Sequence, residues 1–282
     1  MKDKTEQDKR IIDLFQHAST AILKRKGATA AGFLQQALRG LEREGSELDS
    51  SFYLTMLFSW ADLFWSVDRP DQVLAVFDLF ESQSPGDPQI ALHRAIALFH
   101  LARFEEAQGL LSDLEERGYP AADLHFFLGC LAERISREAT AMAHFERAAM
   151  LEPERYIVPA KHDEKVVRNV LKKLIGRLSG PLRDSLSRSR LVVEPLPSDS
   201  LLKDAAPRLD PLALTLVDVE KSEKIVKTPM VRSIHLFMKN IEKSVLSNEE
   251  LEERLSESLT HELSHIFHSD EDTVRGMFDR KR

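Results

Sequence analysis

At 282 residues the chain exceeds what one hydrophobic core comfortably organises, so two domains are expected. It is 43% hydrophobic and 30% charged with a formal net charge of -7, a balance that suits a globular protein and argues against a general binder of nucleic acid or anionic membranes. No run approaches the ~20 apolar residues of a membrane span, the start MKDKTEQDKR is charged where a secretory leader needs an apolar centre, and the single cysteine, Cys130, excludes an intrachain disulfide, so a cytoplasmic setting is expected.

The first elements are two helices over residues 8–24 and 29–44, parted by Gly27 and ended by Gly45. A period follows. Val73, Ala107 and Ala141 are spaced 34 apart, and the same register aligns Ala61, Ala95 and Gly129, then Phe77, Leu111 and Phe145, then Phe80, Leu114 and Ala148. Pro85, Pro120 and Pro153 close the units, the middle one displaced by a residue. Small residues where two helices cross, a bulky residue in the second helix and a closing proline resemble the tetratricopeptide repeat. That resemblance implies a helical stack over residues 1–158 whose groove takes a peptide or a protein partner. Trp60, Trp65 and Cys130 sit in apolar helical patterns and are expected in the core.

The repeat pattern is lost after Pro153, which places the second domain at residues 159–282. A fresh helix begins near His162, with Val166, Val167, Val170, Leu171, Leu174, Ile175 and Leu178 at helical spacing, and Gly180-Pro181 stops it. A short helical turn at 182–186 precedes a strand at 190–197; 198–210 reads as a loop or short helix, and further strands are expected at 212–219 and 231–240. The fold class expected is therefore mainly α: a helical stack followed by a small α+β domain.

The last long helix carries the chemistry. His261-Glu262-Leu263-Ser264-His265 reads H-E-x-x-H, and a four-residue step puts both imidazoles on one helix face, where they take two corners of a zinc tetrahedron with Glu262 beside them. Leu251, Leu255, Leu259, Leu263, Ile266 and Phe267 form the apolar stripe, with the histidines at its border. Asn248 is the expected N-cap, and Glu249, Glu250, Glu252 and Glu253 crowd the first turns, where the helix dipole favours negative charge.

LVVEPLPSD, PMVRSIHLFMKNIEKS, EELEERLSESLTHELSHIF and the acidic SDED, in that order, resemble the small zincin-like bacterial metallopeptidase family over about residues 162–280. The resemblance implies Zn2+ as cofactor, His261 and His265 as ligands and Glu262 as general base. His268 stands where the family has glycine, and three residues compete for the third ligand position: Asp270, Glu271 and His268. A zinc-dependent peptidase acting on a peptide or protein, with the repeats binding or positioning the substrate, is the function implied; the alternative is a repeat-based protein-interaction adaptor with a degenerate or structural zinc-binding domain. The strand at 231–240 is expected to pair with an extended substrate, and His235 either faces that substrate or is structural.

Overall fold

The computed structural model describes residues 2–23, 29, 32–33, 36–37, 39–40, 58–62, 64–65, 69–81, 85–178, 180–205, 209–219, 230–267 and 271–278. They are mainly helical, with one small mixed sheet, which is the expected class. None of the described helices is long and apolar enough to cross a membrane. The chain divides into two units, Met1–Leu114 and Glu115–Arg282.

In the first unit, α1 (Lys2–Leu23) starts earlier than the pattern predicts. Ile11, Phe15 and Ala18 recur at helical spacing and are buried, and the Phe15 ring meets the Trp60 indole edge-on at 5.4 Å. Trp60 is a core residue as expected, and Trp65 is half-buried against the His100 ring. Residues 29, 32–33, 36–37 and 39–40 are helical; Gly27, Gly45 and the rest of 24–44 lie outside the described residues. Next come α2 (Pro70–Glu81), α3 (Pro88–His100) and α4 (Phe104–Glu116), in whose last turn the unit ends. Asp87 caps α3 by accepting from the Gln89 and Ile90 N–H groups, and Pro88 fills the first helical position, where no N–H is needed.

The second unit opens with the hairpin α5 (Ala122–Arg134) and α6 (Glu138–Leu151). The period of 34 is visible in the backbone: α2, α4 and α6 start at 70, 104 and 138, and α3 and α5 at 88 and 122. The turns repeat too. Ala102 and Ser136, 34 apart, both take positive φ (55° and 58°). Each is followed by an N–H that reaches back to a helix carbonyl, Arg103 to Leu98 and Arg137 to Ala132. Val73, Phe77, Ala95, Ala107, Leu111, Leu114, Ala141, Phe145 and Ala148 are all buried, while the Phe80 side chain lies outside what is described. At Gly129 the small residue is required, because a Cβ there would stand 2.7 Å from Cε1 of Phe145.

After α6, Tyr156 donates to Asp123 and Arg155 pairs with the same carboxylate, which folds the turn back onto α5. There follow α7 (Glu164–Arg177), capped by Asp163, and α8 (Gly180–Arg188), longer than the expected turn and entered through Gly180 at φ 66°. β1 (Arg190–Glu194), α9 (Asp199–Ala205), β2 (Thr215–Val219) and β3 (Val231–Phe237) come next, then α10 (Met238–Glu242), α11 (Asn248–Phe267) and α12 (Glu271–Phe278). The third strand thus ends three residues before the expected 240. Lys239 N–H bonds to the Pro195 carbonyl, and the buried Asn240 amide donates to the carbonyls of Pro211 and Ala213, tertiary contacts that turn the chain out of the sheet.

The sheet has the order β1-β3-β2, with β3 parallel to β1 and antiparallel to β2. Val217, Ile234 and Leu236 join one core with Val167, Leu171 and Leu174 of α7 and the leucine stripe of α11. Successive strand residues point to opposite faces, so Ser233 and His235 lie on the other face. The expected boundary at 158/159 lies within the second unit, and ion pairs span it: Glu133 with Lys243, Glu138 with Lys239 at 2.6 Å and Arg134 with Asp199 at 2.5 Å.

Candidate metal centre

α11 positions the centre through its apolar face. Leu251, Leu255, Leu259 and Leu263, one turn apart, are fully buried, whereas Ile266 and Phe267 at the end of the stripe are only partly so. The helix starts one residue earlier than predicted in its capping. Ser247, not Asn248, accepts the Glu250 N–H, and the Glu250 carboxylate returns to the Leu246 N–H. This is a capping box displaced by one position.

His261 and His265 stack on consecutive turns, half-buried, their rings 4.6 Å apart and nearly perpendicular. Their Nε2 atoms stand 3.1 Å apart. Two imidazoles bound to one tetrahedral zinc at ~2.0–2.1 Å present nitrogens roughly 3.3 Å apart, so this pair fits two corners of such a site. Glu262, beside them on the helix, is only 3% exposed. Its Oε2 accepts the Val217 N–H at 3.1 Å. Four residues back on the helix, Ser258 meets the Thr215 hydroxyl at 2.9 Å. Four helical residues rise ~6.0 Å and two strand residues ~6.7 Å, so the pairs 258/215 and 262/217 fasten α11 along β2 at two matched points.

That geometry identifies the strand edge at the centre. Phe237 N–H bonds to the Leu214 carbonyl, so by alternation 216 and 218 face β3 while the Val217 N–H points outward, toward Glu262. The expectation that the 231–240 strand receives a peptide is corrected here: β3 is central, paired on both sides. The strand beside α11 is β2. His235 is also placed away from the centre. Its Nδ1 pairs with Glu194 at 2.7 Å and its Nε2 with Ser233 at 3.0 Å, on the sheet face opposite the α11 core.

His261 and Glu262 line a cavity of about 1190 Å³ together with Thr215, Ser258, Glu257 and Arg275. Phe126 of α5, Tyr156 and Ile157 also line it. Sequence reasoning did not anticipate Thr215, Val217 or this aromatic wall. Val217 acts through its backbone, which leaves no residue-type signal, and Phe126 and Tyr156 reach the cavity only through the fold. Of the third-ligand candidates, Asp270 and His268 lie outside the described residues, and of Glu271 only its place at the start of α12 is described.

No curated protein matches the chain. The zincin-like metallopeptidase family model matches residues 186–278, beginning later than the expected 162. The helical region before it is outside the match. The sheet, the H-E-x-x-H helix and α12 therefore form a stretch similar to zincin-like metallopeptidases.

Proposed function

We propose that the second unit hydrolyses peptide bonds with a zinc ion held by His261, His265 and Asp270, with Glu271 or His268 as the alternative third ligand, and with Glu262 moving the proton. The observation that carries this reading is the convergence of the two Nε2 atoms at 3.1 Å beside buried Glu262, in a cavity large enough for several residues of substrate. When bound, zinc supplies Lewis acidity that brings the pKa of water toward ~7 and polarises the scissile carbonyl.

The remaining work falls to side chains and backbone. Glu262 accepts a proton from the attacking water and delivers it to the amide nitrogen as the C–N bond breaks, so that hydroxyl ends on carbon and hydrogen on nitrogen. The Val217 N–H holds one carboxylate oxygen and so fixes the orientation of the group through both transfers. Leu214 and Thr215, where the chain enters β2, border the cavity, and Phe126, Tyr156 and Ile157 supply an apolar wall for substrate side chains.

The test compares the wild type with Glu262→Gln on an unbiased peptide library. The amide keeps the shape and removes the base, so zinc content should hold while cleavage falls by about 100- to 10,000-fold. Equal cleavage by both proteins, or none by zinc-loaded wild type, overturns the reading. A second reading, an adaptor built on tetratricopeptide-like repeats, draws on the recurrence of helix starts and of the Ala102 and Ser136 turns at 34 residues. Within the peptidase reading the same repeats position the substrate protein; zinc-loaded wild type without cleavage would leave the adaptor as the function.

A further inference from the structure

Among the described residues, one group of three side chains outside the H-E-x-x-H helix brings metal-binding atoms together: Glu115, His125 and His144, all in the second unit, with ligand atoms within 4.8 Å of one another. His125 lies on α5 and His144 on the antiparallel α6, so the hairpin fixes their separation. Their Nδ1 atoms face each other at 3.4 Å, and Glu115 Oε1 stands 3.8 Å from His144 Nδ1. A separation of 3.4 Å is beyond the ~2.7–3.2 Å of a good N–H bond, yet it matches the roughly 3.3 Å between two imidazole nitrogens that share a tetrahedral zinc. The rings lie near parallel, 25° apart with centroids at 5.7 Å, and the two nitrogens and a Glu115 carboxylate oxygen all fall within 4.8 Å of one another. His144 is 17% exposed, which limits its freedom to swing away, whereas Glu115 at 44% has room to close the short remaining distance.

We propose that Glu115, His125 and His144 form a second divalent-metal site of the zinc class, built on the α5–α6 hairpin and separate from the H-E-x-x-H helix. Two imidazoles and a carboxylate are borderline donors that suit zinc and its first-row neighbours rather than magnesium or calcium. Three protein ligands leave a fourth position for water. The ligands come from separate helical segments of the folded chain, so binding favours the native state over the unfolded one.

Zinc is counted by elemental analysis on full-length protein after equilibrium dialysis. The experiment starts from His261→Ala/His265→Ala, so its outcome does not depend on the H-E-x-x-H pair. That protein is expected to hold one equivalent, and adding His125→Ala/His144→Ala should remove it. Equal zinc in the two proteins overturns the site, as does none in the first. Because removing two half-buried histidines can unsettle the hairpin, Glu115→Gln is measured in the same background. It changes one exposed side chain and should weaken zinc by at least the ~10-fold that loss of even an outer partner costs. Unchanged affinity in Glu115→Gln removes the carboxylate and with it the proposal. Cobalt in place of zinc gives an independent readout: visible absorption bands of tetrahedral cobalt are expected in the first protein and absent from the second.

Discussion

Cys130 and Glu262 are both nearly buried, and their surroundings differ. Burial pushes the Cys130 thiol up to about 12, with Lys243 opposing that shift only in part. At neutral pH almost no thiolate forms, and the residue is 3% exposed. Native protein should therefore ignore Ellman's reagent over hours and release one equivalent in denaturant; rapid reaction of the native chain would place this thiol at an accessible surface instead. Glu262 is equally buried, but it borders the cavity and its carboxylate is held by a backbone N–H. The sequence marks both residues by type and helical position. It could not mark Val217, whose contribution to the centre is a main-chain hydrogen that any residue but proline would supply.

At the scale of elements, what could be read from the sequence depended on whether the cause was local. The leucines at every fourth position of α11 place its buried face, and the 34-residue period anticipates where α4, α5 and α6 begin, because helical periodicity is written in neighbouring residues. Ends were less legible. The N-cap of α11 is Ser247 where Asn248 was expected, and β3 gives way to α10 at Met238 because Lys239 and Asn240 find partners 27 or more residues away in the chain. The cap can be measured. Ser247→Ala removes the acceptor for the Glu250 N–H and should lower stability by about 1 kcal/mol, whereas Asn248→Ala should change little. The reverse order in chemical denaturation would return the cap to Asn248. The cost matters for the centre because the same helix carries His261, Glu262 and His265.

On the scale of the molecule, the question is whether the α5–α6 hairpin belongs with the segment before it or the segment after it. The loss of the repeat pattern after Pro153 suggests a joint between 153 and 162, which limited proteolysis should cut. The hairpin also carries Glu133 and Glu138, whose partners are Lys243 at the C-terminal end of α10 and Lys239 within it, and Arg134, which binds Asp199 and the Pro197 carbonyl. The Glu133–Lys243 pair is the deepest, with side chains 6% and 3% exposed, and Lys243 also faces the Phe145 ring at 5.7 Å. A buried pair of this kind contributes little against a well-packed apolar substitute, but removing one partner strands the other charge at a cost of about 3–5 kcal/mol. Glu133→Ala should therefore destabilise strongly, and Glu133→Leu with Lys243→Met should recover most of the loss. In wild-type protein nicked between 156 and 163, the two fragments should elute together. With Glu133→Ala they should part, because the other ion pairs across the nick among the described residues, Glu138–Lys239 and Arg134–Asp199, each have one partner about two-thirds exposed and hold weakly. Fragments that separate in the nicked wild type would make 158/159 a true domain boundary; fragments that stay together in Glu133→Ala would assign the cohesion to apolar packing.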